Sequence, residues 1–316
     1  MSVFDSYITL DCIRDYDPLA INLQVFLQLA LPDKSAEYAI GVDEAGRGPA
    51  LGPLIYCAFI TPKQHCKLLE SQFKCKDSKN MTSESREDVL AKMSPLLGEF
   101  GMSYVLGIIS PCMISRLMLA REENIINLNL MSHRTVCTLL HIVFENKYAN
   151  VPISIYLDTV GPCEKYRNIV YSSLKSKTSK KVIATDKAES KYKCVAAASI
   201  FAKVNRDFLI PINCGSGYPA DPNTKEFLRK SVDPVFGFNP NLARFSWSTI
   251  SSLLDQHCYR VKWEDDLTTS SSQSTKSSAK RLKLSSSTPS IKDIRNFFSS
   301  KETKKEDFFK KIGFTI

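Results

Sequence analysis

Residues 41 to 53 read Gly-Val-Asp-Glu-Ala-Gly-Arg-Gly-Pro-Ala-Leu-Gly-Pro. An apolar run from Tyr38 to Val42 leads into two adjacent carboxylates, Asp43 and Glu44. Gly46, Gly48 and Gly52, with Pro49 and Pro53, then make a tight turn, and a second apolar run leaves it from Leu54 to Ile60. The pattern predicts a strand, a glycine-rich turn and a returning strand. Glycine lets a backbone approach a ligand with no Cβ in the way. Arg47 between two glycines offers a planar fork of donors beside bare amides, which suits a phosphate. Acids at a strand end suit a hard metal ion. One turn thus holds the parts for metal-assisted chemistry on a phosphodiester.

The remaining pattern alternates strands and helices. Residues 21–27 alternate and fit either an edge strand or a short helix. Thr82 or Ser83 is an N-cap for a helix whose apolar face is Val89, Leu90, Met93, Leu96 and Leu97, closed by Gly98 and Gly101. Residues 103–109 read as a strand, and a long helical region is expected from about 114 to 146. A buried-type strand from Pro152 to Leu157 ends on Asp158, and a short strand follows at 182–184. A helix is expected over 189–205, with the small-residue run Ala196-Ala197-Ala198-Ser199 allowing close packing. Helical patches follow at 223–232 and 246–262. These elements predict an α/β fold: a mixed sheet flanked by helices, with a helical C-terminal region and a disordered tail. The expected organisation is an N-terminal extension over 1–36, a catalytic domain over 37–266, and a Ser/Thr-rich basic tail over 267–316.

Net charge is +9, but residues 267–316 carry eleven Lys/Arg against four Asp/Glu, so most of the excess lies in the tail. Any nucleic-acid argument for the core must rest on local clusters. The ten cysteines form no Cys-x-x-Cys pair, which speaks against a zinc site and fits reduced thiols. No apolar run approaches the ~18 residues of a membrane span, and no secretory signal opens the chain. No membrane association is expected.

Four acids recur at element ends. Asp43 and Glu44 end one strand, Asp158 ends another, and Glu189 opens a helix after a third. Taken singly, Asp158 could be a turn residue and Glu189 a charge stabilising a helix N-terminus. Together they suit two hard divalent ions clamping an in-line phosphoryl displacement. Arg47, Lys79, Lys187 and Lys203 are candidate phosphate contacts. Tyr218, in Gly-Ser-Gly-Tyr-Pro, could stack on a sugar or base and sense a 2′-hydroxyl.

In order, Gly-Val-Asp-Glu-Ala-Gly-Arg-Gly-Pro, Asp77-Ser78-Lys79, Asn127-Leu128-Asn129 with Ser132-His133, Leu157 to Gly161, Ala197 to Val204 and Gly215 to Pro219 resemble the motif set of type 2 ribonucleases H. Residues 233–238 and Arg244-Phe245-Ser246-Trp247 resemble the eukaryotic catalytic subunit of that family, and the resemblance spans about 36–266. It implies a ribonuclease H-like core. The implied enzyme is an endonuclease that cuts the RNA of RNA/DNA hybrids and cuts 5′ of single ribonucleotides in duplex DNA, leaving 3′-hydroxyl and 5′-phosphate ends. The resemblance further implies two Mg²⁺ ions, with Mn²⁺ as substitute, held by Asp43, Glu44, Asp158 and Glu189. Substrate contacts would come from Gly46, Arg47, Gly48, Lys79, Lys203 and Tyr218. Accessory B and C subunits and a nuclear location with a cytoplasmic pool are expected.

Two departures from the family pattern stand out. Glu189 occupies a position that is usually Asp, and the segment Phe208 to Cys214 is short for the eukaryotic form. The short segment raises an alternative, a catalytically impaired scaffold on the same fold. A further alternative is another ribonuclease H-like enzyme, such as an integrase or resolvase. In the tail, 279–284 resembles a nuclear import signal. Ile294, Phe297 and Phe298 resemble a sliding-clamp-binding peptide, although Ile291 stands where that motif normally has Gln; the same residues would also suit an amphipathic segment that docks on the core or on a partner protein.

Overall fold

The computed structural model describes residues 16–260, except 18, 21, 76–77, 121–124 and 175–180. Asp77, the tail cluster at 279–284, and Ile294, Phe297 and Phe298 lie outside the described residues.

One six-stranded sheet organises the chain, with strands β1 (Gln24–Gln28), β2 (Tyr38–Ala45), β3 (Leu54–Pro62), β4 (Ser103–Ile109), β5 (Ile153–Asp158) and β6 (Lys181–Thr185). Its order is β1-β4-β3-β2-β5-β6. The β1–β4, β4–β3 and β3–β2 pairs are antiparallel, whereas β2–β5 and β5–β6 are parallel. The 21–27 stretch, which fits strand or helix by pattern, therefore supplies an edge strand, Gln24–Gln28. The parallel half puts the C-terminal ends of β2, β5 and β6 at one rim. That rim is where open sheets with parallel strands place ligand crevices.

The helices are α1 (Cys66–Ser71), α2 (Ser83–Met93), α3 (Pro111–Met118), α4 (Leu128–Asn146), α5 (Cys163–Ser173), α6 (Ala188–Lys191), α7 (Lys193–Phe208), α8 (Pro222–Ser231) and α9 (Ser248–His257). Two expected helices are each divided. The region expected over 114–146 forms α3 and α4, each begun by its own cap: the Ser110 hydroxyl accepts from the Met113 amide, and the Asn127 side chain accepts from the Leu130 amide. The helix expected over 189–205 breaks at Tyr192, whose extended backbone (φ −125°, ψ 118°) separates α6 from α7.

Period-2 alternation sorts the strand residues between two cores. On one face Ile40, Val42, Tyr56 and Leu157 pack with Val136, Leu139 and Leu140 of α4 and Tyr166 of α5. On the other, Ile55, Phe59, Tyr104 and Leu106 pack with Leu90 and Met93 of α2 and Phe201 of α7. A third cluster joins Leu51, Cys214, Leu228, Phe238 and Ile250, and ties α8 and α9 to the turn after β2. The nine described cysteines are free. Among the described residues, no helix is long and apolar enough to cross a membrane.

Helix α7 is the most enclosed of the described helices, with Cys194 to Ala202 all buried. It lies directly on β2 at Gly41, where an added Cβ would stand 2.2 Å from the Cys194 carbonyl carbon and 2.3 Å from the Val195 nitrogen. Both obstacles are backbone, so neither can swing aside. Gly41→Ala is therefore expected to lower stability by ~3 kcal/mol or more, at the upper end of overpacking costs. Urea denaturation of the two proteins measures it.

Candidate active site

The C-terminal ends of β2 and β5, the single turn α6, one face of α7 and the loop before α8 enclose a cleft of 560 Å³. Asp43, Glu44, Gly46, Arg47, Lys79, Asp158, Glu189, Lys203 and Tyr218 all line it. Gly48 adjoins the Tyr218 ring, which would stand 3.0 Å from a Cβ at that glycine. Lys187 does not line the cleft; it adopts the left-handed conformation (φ 54°, ψ 43°) that turns the chain into α6. His133 also stands apart, stacked on Tyr166 with its Nε2 3.3 Å from the Val160 carbonyl oxygen.

The four acids have unlike surroundings. Burial, with the Asp158 charge adding to it, pushes the Asp43 carboxyl up to about 7, although it accepts from the Glu44 amide at 2.7 Å. Burial and then Asp43 hold Glu44 well above the usual carboxylate range, against the pull of Arg47. Asp158 is raised by burial, and its Oδ1 accepts from the Ala188 amide at 2.7 Å. Glu189 goes the other way. Burial would raise it, but a hydrogen bond from Lys79, the Ser78 hydroxyl and the Lys203 charge together bring it below the ordinary value. Its Oε1 lies 2.9 Å from Lys79 Nζ, and its Oε2 accepts from Ser78 at 2.7 Å and Ser199 at 3.0 Å.

Asp43, Asp158 and Glu189 each accept from a donor of their own, and among the described residues no three His, Cys, Asp or Glu side chains already form a cage for an ion. The donor set still fits hard divalent ions. It is all carboxylate oxygen, and three of the four carboxyls are raised by burial and neighbouring negative charge. A cation removes both penalties.

Ser78, Ser199, Arg86 and Arg206 receive no role from a motif-by-motif reading, yet they shape the cleft. Ser78 and Ser199 hold Glu189, and Lys203 also donates to the Ser78 hydroxyl. Arg86 fixes the turn that carries Lys79 by donating to the Ser78 and Met81 carbonyls (3.2 and 2.9 Å), and it pairs with Asp207 at 3.3 Å. Arg206, almost fully buried, packs beneath Gly46 and donates to the Ser216 carbonyl at 3.2 Å, which links the two glycine loops. Ser199, Lys203 and Arg206 share one helix face at i, i+4 and i+7 spacing, a signal present in the sequence. Arg47 is held by α4, donating to Ser132 Oγ at 2.8 Å and to Asn129 Oδ1.

The short 208–214 segment does not carry Tyr218 away from the cleft. Ile210 and Cys214 are buried, with Ile210 against Gly52, and the Gly217 carbonyl accepts from the Ala50 amide at 2.9 Å. Buried Thr224 completes the anchor: its hydroxyl accepts from the Gly217 amide and donates to the Cys214 carbonyl, both at 2.9 Å.

The sheet order, the helices on both faces and the acids at one rim define a fold of the ribonuclease H type. Comparison with known proteins agrees. The Ribonuclease HII family model matches residues 40–250. The A subunit of ribonuclease H2 from Rattus norvegicus is 41% identical over 239 residues, covering 72% of this chain and 75% of that protein. The crystal structure of ribonuclease H2 from Pyrococcus horikoshii OT3 superposes with a TM-score of 0.57 at 30% identity, over 70% of this chain and 98% of that one. Ribonuclease HII in the PCNA:RNase HII complex from Archaeoglobus fulgidus does so with a TM-score of 0.53 at 26% identity, over 72% and 99%. The chain belongs to the ribonuclease HII family and is a ribonuclease H, a hydrolase.

Thr224→Val keeps the side-chain shape but leaves the Gly217 amide and the Cys214 carbonyl without their buried partner. A loss of about 2 kcal/mol is expected, seen by urea denaturation, together with faster hydrogen exchange at the Gly217 amide.

Proposed function

We propose that this chain cuts the RNA strand of RNA/DNA hybrids and cuts 5′ of single ribonucleotides in duplex DNA, leaving 3′-hydroxyl and 5′-phosphate ends. The observation that carries this reading is the meeting of four acids with the Gly46–Gly48 loop and Tyr218 in one cleft.

Asp43, Glu44, Asp158 and Glu189 would hold two Mg²⁺ ions, or Mn²⁺ in their place. Such ions, when bound, supply a polarised water and a counter-charge for the leaving 3′-oxygen. The protein's own residues do the rest. Lys79 and Lys203, now paired with Glu189, stand where a strand's phosphates can take over those contacts. The bare backbone of Gly46, Arg47 and Gly48 lets a ribose approach the acids. Tyr218, 45% exposed on the cleft rim, offers a face to the sugar at an RNA–DNA junction. Glu189 reaches one methylene further than the Asp usual in the family, and it sits in the first turn of α6.

The likeness to proteins named as the A subunits of ribonuclease H2 supports an assembly with accessory B and C subunits. The relative solved with PCNA supports a sliding-clamp contact, for which Ile294, Phe297 and Phe298 are the candidates from the sequence. The basic cluster at 279–284, which resembles a nuclear import signal, supports a nuclear location, and a cytoplasmic pool belongs to the same proposal.

The test is cleavage of a DNA duplex holding one ribonucleotide, with Mg²⁺, by the chain alone and with its partner subunits. A nick 5′ of the ribonucleotide is expected, absent from an all-DNA duplex and reduced to background by Asp43→Asn with circular dichroism unchanged. Equal cutting of the all-DNA duplex would instead indicate a nuclease indifferent to the 2′-hydroxyl. Binding without cutting, and no uptake of Mg²⁺ or Mn²⁺, would indicate a scaffold. Tyr218→Ala is expected to slow cutting at a single ribonucleotide about tenfold more than on a long hybrid, the scale of one lost stacking contact. Matched steady-state kinetics on the two substrates measure the ratio.

A further inference from the structure

The loop at Gly46–Gly48 is held from beneath by two side chains far along the chain. Arg244, fully buried, donates from Nη2 to the Gly46 carbonyl at 2.6 Å, from Nη1 to the Arg47 carbonyl at 3.3 Å and from Nε to the Gly52 carbonyl at 2.8 Å. Trp247 donates from Nε1 to the Gly48 carbonyl at 3.0 Å. Its ring lies against the same guanidinium, 4.9 Å from ring centre to Cζ. Three consecutive carbonyls of the loop are therefore taken up on its inner side.

Peptide geometry carries this across the loop. The described peptide bonds include no cis bond. In a planar trans peptide the carbonyl of one residue and the N–H of the next point in opposite directions. With the Gly46 and Arg47 carbonyls turned inward, the N–H groups of Arg47 and Gly48 turn the other way, towards the cleft that Gly46 and Arg47 line. The Gly48 carbonyl precedes Pro49, which has no N–H to present. Among the described residues, no protein acceptor takes the Arg47 or Gly48 amide.

The choice of residue is informative. A buried guanidinium without a carboxylate partner is an expensive way to satisfy backbone carbonyls. Among the described residues no acid pairs with Arg244, and its buried neighbour is another cation, Arg206. A packed apolar side chain would stabilise the fold more cheaply but could not fix three carbonyl directions at once. A planar fork of donors can.

We infer that Arg244 and Trp247 are positioning residues that aim the Arg47 and Gly48 amides at the sugar edge of the substrate, and so set how strongly the site prefers a 2′-hydroxyl. This rests on the substrate reading proposed above. A single ribonucleotide offers one such hydroxyl, whereas a long hybrid offers one at every residue, so misaimed amides weaken the first substrate more.

Trp247→Phe is the sharper test, because it removes one donor and keeps a ring against Arg244. Arg244→Lys keeps the charge and loses the fork. The full-length chain with its accessory subunits is assayed for kcat and KM on a duplex with one ribonucleotide and on a long hybrid. In the Asp43→Asn background, affinities for that duplex and for an all-DNA duplex are compared, a readout independent of turnover. Trp247→Phe is expected to leave the melting temperature within a few degrees and to cut kcat/KM at the single ribonucleotide by about tenfold, against less than threefold on the hybrid, as befits one lost hydrogen bond that orients a second. The binding preference for the ribonucleotide should shrink in step. Arg244→Lys should act in the same direction, more strongly and with a lower melting temperature. An unchanged preference in Trp247→Phe, or equal loss on both substrates, overturns the inference. Absence of any ribonucleotide preference in the unmodified protein overturns the substrate reading itself, and the inference with it.

Discussion

Helix α7 and strand β2 meet backbone to backbone at Gly41, and the rest of the site depends on that contact. Closeness fixes the depth of the helix, and the burial of Cys194 to Ala202 fixes its rotation. Turning α7 would expose Phe201 or force Lys203 into an apolar core. With rotation fixed, Ser199, Lys203 and Arg206 face the end of β2 where Asp43 and Glu44 stand. The hairpin from β2 to β3 and the parallel partner β5 then have one arrangement that satisfies both cores. Asp158 reaches the same rim because β5 runs alongside β2 in register, Leu157 opposite Val42.

Charge is divided across the cleft, with three acids on one side and basic groups on the other. Burial raises the Asp43, Glu44 and Asp158 carboxyls; the Asp158 charge adds to the rise of Asp43 and Glu44, and Glu189 adds to that of Asp158. Glu189, a short distance along the rim, is stabilised as an anion by Lys79, Lys203 and two serine hydroxyls. The lysines thus serve as internal counter-ions for the acid on the basic side. Arg206 and Arg244 extend that positive side beneath the glycine loops, where burial holds both guanidinium groups below their ordinary values. Such a site has its donors in place before a substrate arrives, which is what electrostatic preorganisation requires.

Much of this is readable along the chain, because it depends on local pattern. Strands β2 to β6 follow from short apolar runs bounded by turn residues. The acids are legible because each ends such a run or opens the turn that follows. Thr82 caps its helix as its residue type suggests. The break at Tyr192 is less legible: residues 189–205 are compatible with one helix, whereas the fold extends Tyr192 between α6 and α7 and sets Glu189 beside Ser78 and Ser199. The split between α3 and α4 is signalled by Asn127, a cap residue inside a stretch whose apolar content suggests continuity.

Arg244 and Trp247 mark the boundary most clearly. In sequence they are an arginine and a tryptophan beside an apolar stretch, almost two hundred positions from the loop whose carbonyls they hold. Arg206 resembles any basic residue at a helix end. Chain order sets residue chemistry and short-range geometry, and with them the strands, the glycine turn and the acids at strand ends. Which groups converge beneath the loop depends on contacts between segments distant along the chain. Those are settled when the helices pack on the sheet, because a buried donor must find its acceptors wherever the fold places them.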